Sequence, residues 1–191
     1  MKVIAFNGSP REEGNTHRLL RHVLEAVEKE GIATELVQVG GRKVQPCTAC
    51  GKCFENLDRR CIQESDMVND CIGKMIAADA IVIGTPTYFA GVTPEIKAFM
   101  DRAFFVGKAN GDLFRHKLGA AVAAERRSGA VCAVDTINHY FGISGMFATG
   151  SRYWNNAKGM APGDVENDEE GVDTMKQLGE NIAWFLKKTR K

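Results

Sequence analysis

Short apolar runs that alternate with amphipathic stretches of helix length leave this 191-residue chain few ways to fold. Residues 2 to 7 and 80 to 84 are apolar with little alternation, the pattern of strands covered on both faces. From Asn15, residues Leu19, Leu20, Val23, Leu24 and Val27 recur at helical spacing, and Gly31 closes that helix. Residues 34 to 39 read as a second strand, after which Asp66 can cap a helix with Val68, Cys71, Ile72, Met75 and Ile76 inward. Beyond the third strand, Thr93 and Pro94 open another helix, and residues 117 to 124 supply a fourth strand. Residues 130 to 144 read as helix, with Ala133, Val134, Ile137, Tyr140 and Phe141 on one side, and Met146 to Ser151 as a fifth strand. A last helix over about 169–188 carries the stripe Val172, Met175, Leu178, Ile182 and Phe185, and ends in a basic run, Lys187 to Lys191.

Parallel neighbours need crossover connections of helix length, so the alternation predicts an α/β fold with a doubly wound, five-stranded parallel sheet of flavodoxin-like order 2-1-3-4-5. One domain over 1–191 is expected, with a cysteine-rich loop, 45–64, inserted after the second strand. The formal net charge of +1 supplies no field that would recruit nucleic acid or an anionic membrane. No export signal and no apolar run of membrane-spanning length is visible, so the expectation is a cytoplasmic protein with reduced thiols. The four histidines are scattered without metal-ligand spacing.

In a sheet of this kind ligands bind beyond the carboxyl ends of the strands. The loop after the first strand, Gly8 to Thr16, offers the hydroxyls of Ser9 and Thr16, the Asn15 amide and Arg11 around a helix start, a set suited to phosphate. The same residues also serve ordinary turns and caps. The loop lacks both the G-x-G-x-x-G pattern and the Gly-Lys-Ser/Thr of a Walker loop, and no acidic residue ends the second strand, which favours a mononucleotide over a dinucleotide. The loop after the third strand, through Pro86, Thr87, Tyr88, Phe89 and Gly91, places two aromatics where a flat ring could stack, or where they would simply close the core edge. The loop after the fourth, Arg126-Arg127-Ser128-Gly129, brings two cations to the same end; they suit either the charge of a reduced ring or a solvated turn.

Cys47, Cys50, Cys53 and Cys61 follow C-x2-C-x2-C-x7-C, a spacing open to an iron-sulfur cluster, to zinc or to free redox thiols. Cys71 and Cys132 read as packing residues.

The segments GSPREEGNT, PCTACGKC and GTPTYFAGVTPEIKAFMDR together resemble the flavodoxin-like NADPH-dependent FMN reductases and iron-sulfur flavoproteins. The resemblance implies FMN, with phosphate contacts at Ser9, Arg11, Asn15 and Thr16, ring contacts from Pro86 to Gly91, and a further contribution from Arg126 to Gly129. It implies a [4Fe-4S] cluster on the four cysteines, and a homodimer or homotetramer. The flavin itself would carry the redox chemistry, with NAD(P)H or an electron-carrier protein as partner and no catalytic side chain required. Two other readings stay open on the sequence. One is a non-enzymatic flavodoxin-like carrier, for which the near-zero charge supplies no docking field; the other is a zinc-stabilised binding module.

Overall fold

The computed structural model describes residues 1–189, so the last two residues of the basic run lie outside the described residues. Parallel strands β1 (Lys2–Asn7), β2 (Ala33–Gln38), β3 (Ala80–Pro86), β4 (Leu118–Glu125) and β5 (Phe147–Ala148) lie in the order β2-β1-β3-β4-β5. The expected doubly wound sheet is present. Strand residues alternate between its two faces: Val3, Ala5, Val82, Ala120 and Val122 pack with α1 (Asn15–Lys29) and the C-terminal helix, while Ile4, Phe6, Ile81, Ile83 and Ala121 pack with the helices opposite. Those opposite helices are α3 (Val68–Ala77), α4 (Pro94–Ala109) and α5 (Ala130–Ile143); a short α2 (Lys52–Asn56) lies within the cysteine loop. The last helix, α6 (Glu169–Thr189), follows a 3-10 turn at Asp164–Asn167.

The fifth strand differs from its expected span. β5 is two residues long, and a sixth strand, β6 (Asn156–Lys158), pairs with the other end of β4, at Ala123 to Glu125. Between them residues 150–154 leave the ladder. Thr149 N–H still donates to Gly119 O at 2.8 Å, and pairing resumes where Ala123 N–H donates to Asn155 O at 3.0 Å. Ser151 Oγ and Asn155 Oδ1, 2.6 Å apart, close the excursion. Local polar bonds thus compete with the ladder, and the detour delivers β6 to the carboxyl end of β4. Cys132 also departs from expectation: it lies on the exposed side of α5, whereas Cys71 is buried in the core.

The cysteine loop is anchored by a buried ion pair. Arg102, on α4, is the largest fully buried side chain; its Nη1 donates to Asp66 Oδ2 and, at 3.2 Å, to Gln45 O, and its Nη2 donates to Gln63 O at 2.8 Å. Both flanks of the loop are therefore tied to one guanidinium. Asp66 Oδ1 accepts from Val68 N–H at 3.2 Å, so the expected cap residue stands one position before the actual cap, Met67, and still satisfies the first N–H of α3. Burial disfavours the Asp66 carboxylate, but the Arg102 guanidinium and the N–H groups of Gln45 and Val68 outweigh it and hold the carboxyl below its ordinary 3.8.

Replacing Asp66 by Asn strands a buried guanidinium and should cost about 3–5 kcal/mol in denaturant unfolding, with less lost when Arg102 is also made Met. A loss under about 1 kcal/mol would show the pair to be dispensable. The depressed carboxyl gives the pH dependence its sign: the stabilisation is complete at neutral pH and is lost only as the pH falls below about 4, through the lowered value.

Candidate functional site

The carboxyl end of β1 is shaped by Asn7, which is fully buried. Its carbonyl accepts from the N–H groups of Val39 and Gly40 at 2.9 Å each, its Oδ1 accepts from Ser9 N–H at 3.0 Å, and its Nδ2 donates to Gln38 Oε1 at 2.7 Å. Gln38 Nε2 returns to Ser9 O at 2.6 Å. This close approach needs glycine: a Cβ on Gly40 would lie 2.3 Å from Gly8 O. The chain then turns into α1 at Gly14, which gives that helix no side-chain cap and leaves first-turn N–H groups without intrahelical partners.

The three predicted loops meet around one cavity of about 260 Å³. Ser9, Arg11, Asn15 and Thr16 line it from the first loop, Pro86, Thr87 and Tyr88 from the second, and Arg126 from the third. Thr16 Oγ1 and Thr87 Oγ1 are buried on this cavity and have no hydrogen-bond partner among the described residues. A buried hydroxyl without a partner is costly, and both stand where a molecule in the cavity could supply an acceptor or donor.

Phe89 and Gly91 stand beside the cavity. Tyr88 and Gly91 exchange backbone bonds of 2.9 and 2.8 Å across a two-residue turn that leaves Phe89 fully exposed at its tip. Gly129 sits at φ +100°, and a Cβ there would lie 3.0 Å from Thr87 Cγ2 and 3.1 Å from Ala90 Cα, so the second and third loops interlock. Arg127 and Ser128 are exposed and lie off the cavity wall. Buried Glu125 caps α5 from outside: its Oε2 accepts from Ala130 N–H at 2.9 Å and its Oε1 from Asn156 Nδ2 at 2.8 Å.

Sequence reasoning missed Gly159 and Met160, which line the cavity from the segment after β6. The available signal was weak: a Gly-Met-Ala-Pro-Gly stretch with no periodicity.

The cysteines are not gathered into a cage. Cys47 and Cys50 are exposed, Cys53 and Cys61 half-buried, and among the described residues no three His, Cys, Asp or Glu side chains converge as metal ligands. Cys61 is nevertheless fixed on three sides: its N–H donates to Asn69 Oδ1 at 2.7 Å, its carbonyl accepts from Asn69 Nδ2 at 2.8 Å, and its sulfur lies 3.3 Å from Arg102 Nε. The Lys52 N–H lowers the exposed Cys50 thiol, while burial raises Cys53 and pushes Cys71 up to about 12.

Fold and cavity together define a flavodoxin-like α/β protein with a cleft at the carboxyl ends of its strands, lined by all three loops. The chain belongs to the NADPH-dependent FMN reductase family, whose model matches residues 1–161. It is 37% identical over 198 residues to an iron-sulfur flavoprotein of Methanocaldococcus jannaschii, covering 100% of both chains. A second iron-sulfur flavoprotein of that organism is 30% identical over 201 residues, covering 100% of this chain and 99% of the relative. Among solved structures, a WrbA-like flavodoxin from Agrobacterium tumefaciens superposes with a TM-score of 0.68 at 16% identity, covering 99% of this chain and 98% of that one, which supports the fold. No helix among the described residues is long and apolar enough to cross a membrane.

Thiol accessibility gives a direct check. In native, metal-free protein at pH 8, iodoacetamide should label Cys47, Cys50 and Cys132 readily, whereas Cys71, raised to about 12 by burial, should react more than about a thousandfold slower until unfolding. Mass spectrometry that found Cys71 modified alongside Cys50 would contradict its place in the core.

Proposed function

We propose that the cleft binds FMN and that the protein is an FMN-dependent oxidoreductase that takes reducing equivalents from NAD(P)H or a reduced carrier and passes them to an acceptor. The observation that carries the reading is the pair of buried, unpartnered hydroxyls, Thr16 Oγ1 and Thr87 Oγ1, on the phosphate-facing and ring-facing walls of one cavity. Family membership supports the same cofactor.

Bound flavin supplies the exchange of one or two electrons. The chain's own part is binding and electrostatics. Ser9 Oγ accepts from Arg11 N–H at 3.2 Å and keeps its own proton to donate, and Thr16 offers a second hydroxyl beside the uncapped start of α1. These donors, with the Arg11 guanidinium, suit a dianionic phosphate. Pro86, Thr87 and Tyr88 form the ring-facing wall, from which Thr87 N–H turns inward to Ala124 O at 2.8 Å. Arg126 places a cation at the same rim, where it favours the more negative, reduced state of a ring.

The cysteine loop enters the proposal as the holder of a [4Fe-4S] cluster through Cys47, Cys50, Cys53 and Cys61. Four soft thiolate donors at this spacing, and relatives named iron-sulfur flavoproteins, support it. The observed positions fall short of a cage, so occupancy requires residues 47–53 to close onto Cys61, which Asn69 and Arg102 already hold. A homo-oligomer belongs to the same proposal.

Two measurements test this reading. Thr16→Val should weaken FMN binding about tenfold or more, the loss expected when a hydrogen bond to a charged group is removed, and Thr16→Glu should abolish it. Folded variants that bind FMN unchanged would overturn the phosphate assignment. Protein purified anaerobically should contain iron and sulfide, lost in Cys61→Ser; absence of both metal and sulfide from the parent would return the loop to free thiols.

A separate expectation concerns the two arginines after β4. Because Arg126 lines the cleft and Arg127 does not, Arg126→Ala should lower the flavin midpoint potential at full FMN occupancy while Arg127→Ala leaves it in place. Equal midpoints in a redox titration of both variants and the parent would make Arg126 a solvated surface cation.

A further inference from the structure

The amide of Asn15, counted from the sequence among the phosphate contacts, has its oxygen and one of its two N–H groups committed elsewhere. Asn15 is buried in the first turn of α1. Its Nδ2 donates to Ala161 O at 2.9 Å, and its Oδ1 accepts from Gly163 N–H at 2.8 Å. Both partners belong to the segment that leaves β6, almost 150 positions along the chain.

That segment is built as a closed strap. Gly159 N–H donates to Glu125 O at 2.8 Å, fastening its first residue to the end of β4. Asp164 Oδ2 accepts from Ala161 N–H at 2.7 Å and Met160 N–H at 3.1 Å, which holds its middle. Arg11 Nη1 donates to Met160 O at 3.3 Å. Gly159 packs so tightly that a Cβ there would lie 2.8 Å from both Asn15 Nδ2 and Val165 N. Gly159 and Met160 face the cavity, yet the Asn15 bonds are the ones that join this strap to the phosphate loop's helix.

We infer that residues 159–163 are a strap closing the fourth side of the cleft, that Asn15 is its latch, and that this latch sets how long FMN remains bound. The inference rests on reading the cleft as an FMN site. An amide that commits one donor and its acceptor to a single segment has its strongest effect on whether that segment opens. A wall that swings aside widens the exit from the cleft and gives up its contacts with the ligand, so a weaker latch raises the release rate. A direct phosphate ligand behaves differently: its loss weakens FMN and spares riboflavin, which has no phosphate.

The test uses Asn15→Ala and Asp164→Ala, each checked for folding by circular dichroism. Release of FMN from loaded protein is followed by recovery of free-flavin fluorescence, and hydrogen exchange is measured across 159–163 in flavin-free protein. Both variants should release FMN about tenfold faster, from the loss of one or two hydrogen bonds, although Asp164 is not a cavity-lining residue. Both should also exchange faster at Ala161 and Gly163 and weaken riboflavin together with FMN. If Asn15→Ala weakens FMN alone and leaves riboflavin and strap exchange unchanged, Asn15 is a phosphate ligand and the latch is overturned. Unchanged release and exchange in Asn15→Ala overturn it as well. A parent that binds no FMN would defeat the reading of the cleft, and the exchange measurement would still decide whether Asn15 holds the strap.

Discussion

Where the central strand stops, a buried asparagine directs the chain into the loop beyond it. Asn7 has no access to water, so its carbonyl and both ends of its amide must find partners within the protein, and they find them at Ser9 in the first loop and at Gln38, Val39 and Gly40 where β2 ends. Its bonds to Val39 and Gly40 end β2 beside the loop, and its bond to Ser9 N–H bends the chain toward α1. An apolar residue there would continue the core and leave Ser9 N–H and Gln38 Oε1 without these partners. The hydroxyl of Ser9 and the start of α1 are thus aimed by a hydrogen-bond requirement lying beneath the site.

The same device recurs at two other places, each time joining segments distant in sequence. Glu125, at the end of β4, gathers the first N–H of α5 and the amide of Asn156, so the third loop and β6 are positioned by one carboxylate. Arg102 gathers Gln45, Gln63, Asp66 and the sulfur of Cys61. A buried pair of this kind is weak evidence of net stability, because desolvation consumes much of the attraction. Its directional bonds do something an apolar pair could not: they fix both flanks of a long loop against α4 while Cys47 and Cys50 stay exposed and Cys53 and Cys61 pack half-buried against the core.

Legibility in the sequence followed the physics of each part. The sheet order and covering helices could be read because apolar burial is periodic: Val3 and Ala5 go to one face, Ile4 and Phe6 to the other. The walls from Ser9 to Thr16 and from Pro86 to Tyr88 could be placed because ligand loops follow the carboxyl ends of parallel strands. The split of the fifth strand could not be read, since Ser151 and Asn155 resemble ordinary turn residues until their mutual bond is seen. The strap was equally silent. Its stabilising contacts reach back to Asn15 and Glu125, and no local pattern records a bond over such a separation. Cys132 was misread because helix facing near an edge turns on a small rotation: Val131 and Cys132 are exposed, and Ala133 is buried.

The second loop holds its shape against backbone strain. Phe89 at φ 48° and Ala90 at φ 63° both occupy the left-handed region, which side chains other than glycine adopt at a penalty of about 1–2 kcal/mol each. The reciprocal bonds between Tyr88 and Gly91 offset part of that energy, and the flanking Thr93 fastens the loop below, with Thr93 Oγ1 donating to Gly8 O at 2.8 Å and Thr93 N–H donating to Thr85 Oγ1 at 3.1 Å. Gly129 then removes the remaining freedom, for only a residue without Cβ fits against Thr87 and Ala90 at its backbone angle. Strain held this way keeps an exposed aromatic at the rim of the cleft and not folded into the core, where its burial would favour it by about 2 kcal/mol or more. The turn therefore gives up local stability to hold an exposed aromatic two residues beyond Thr87, whose hydroxyl lies buried on the cavity without a partner among the described residues.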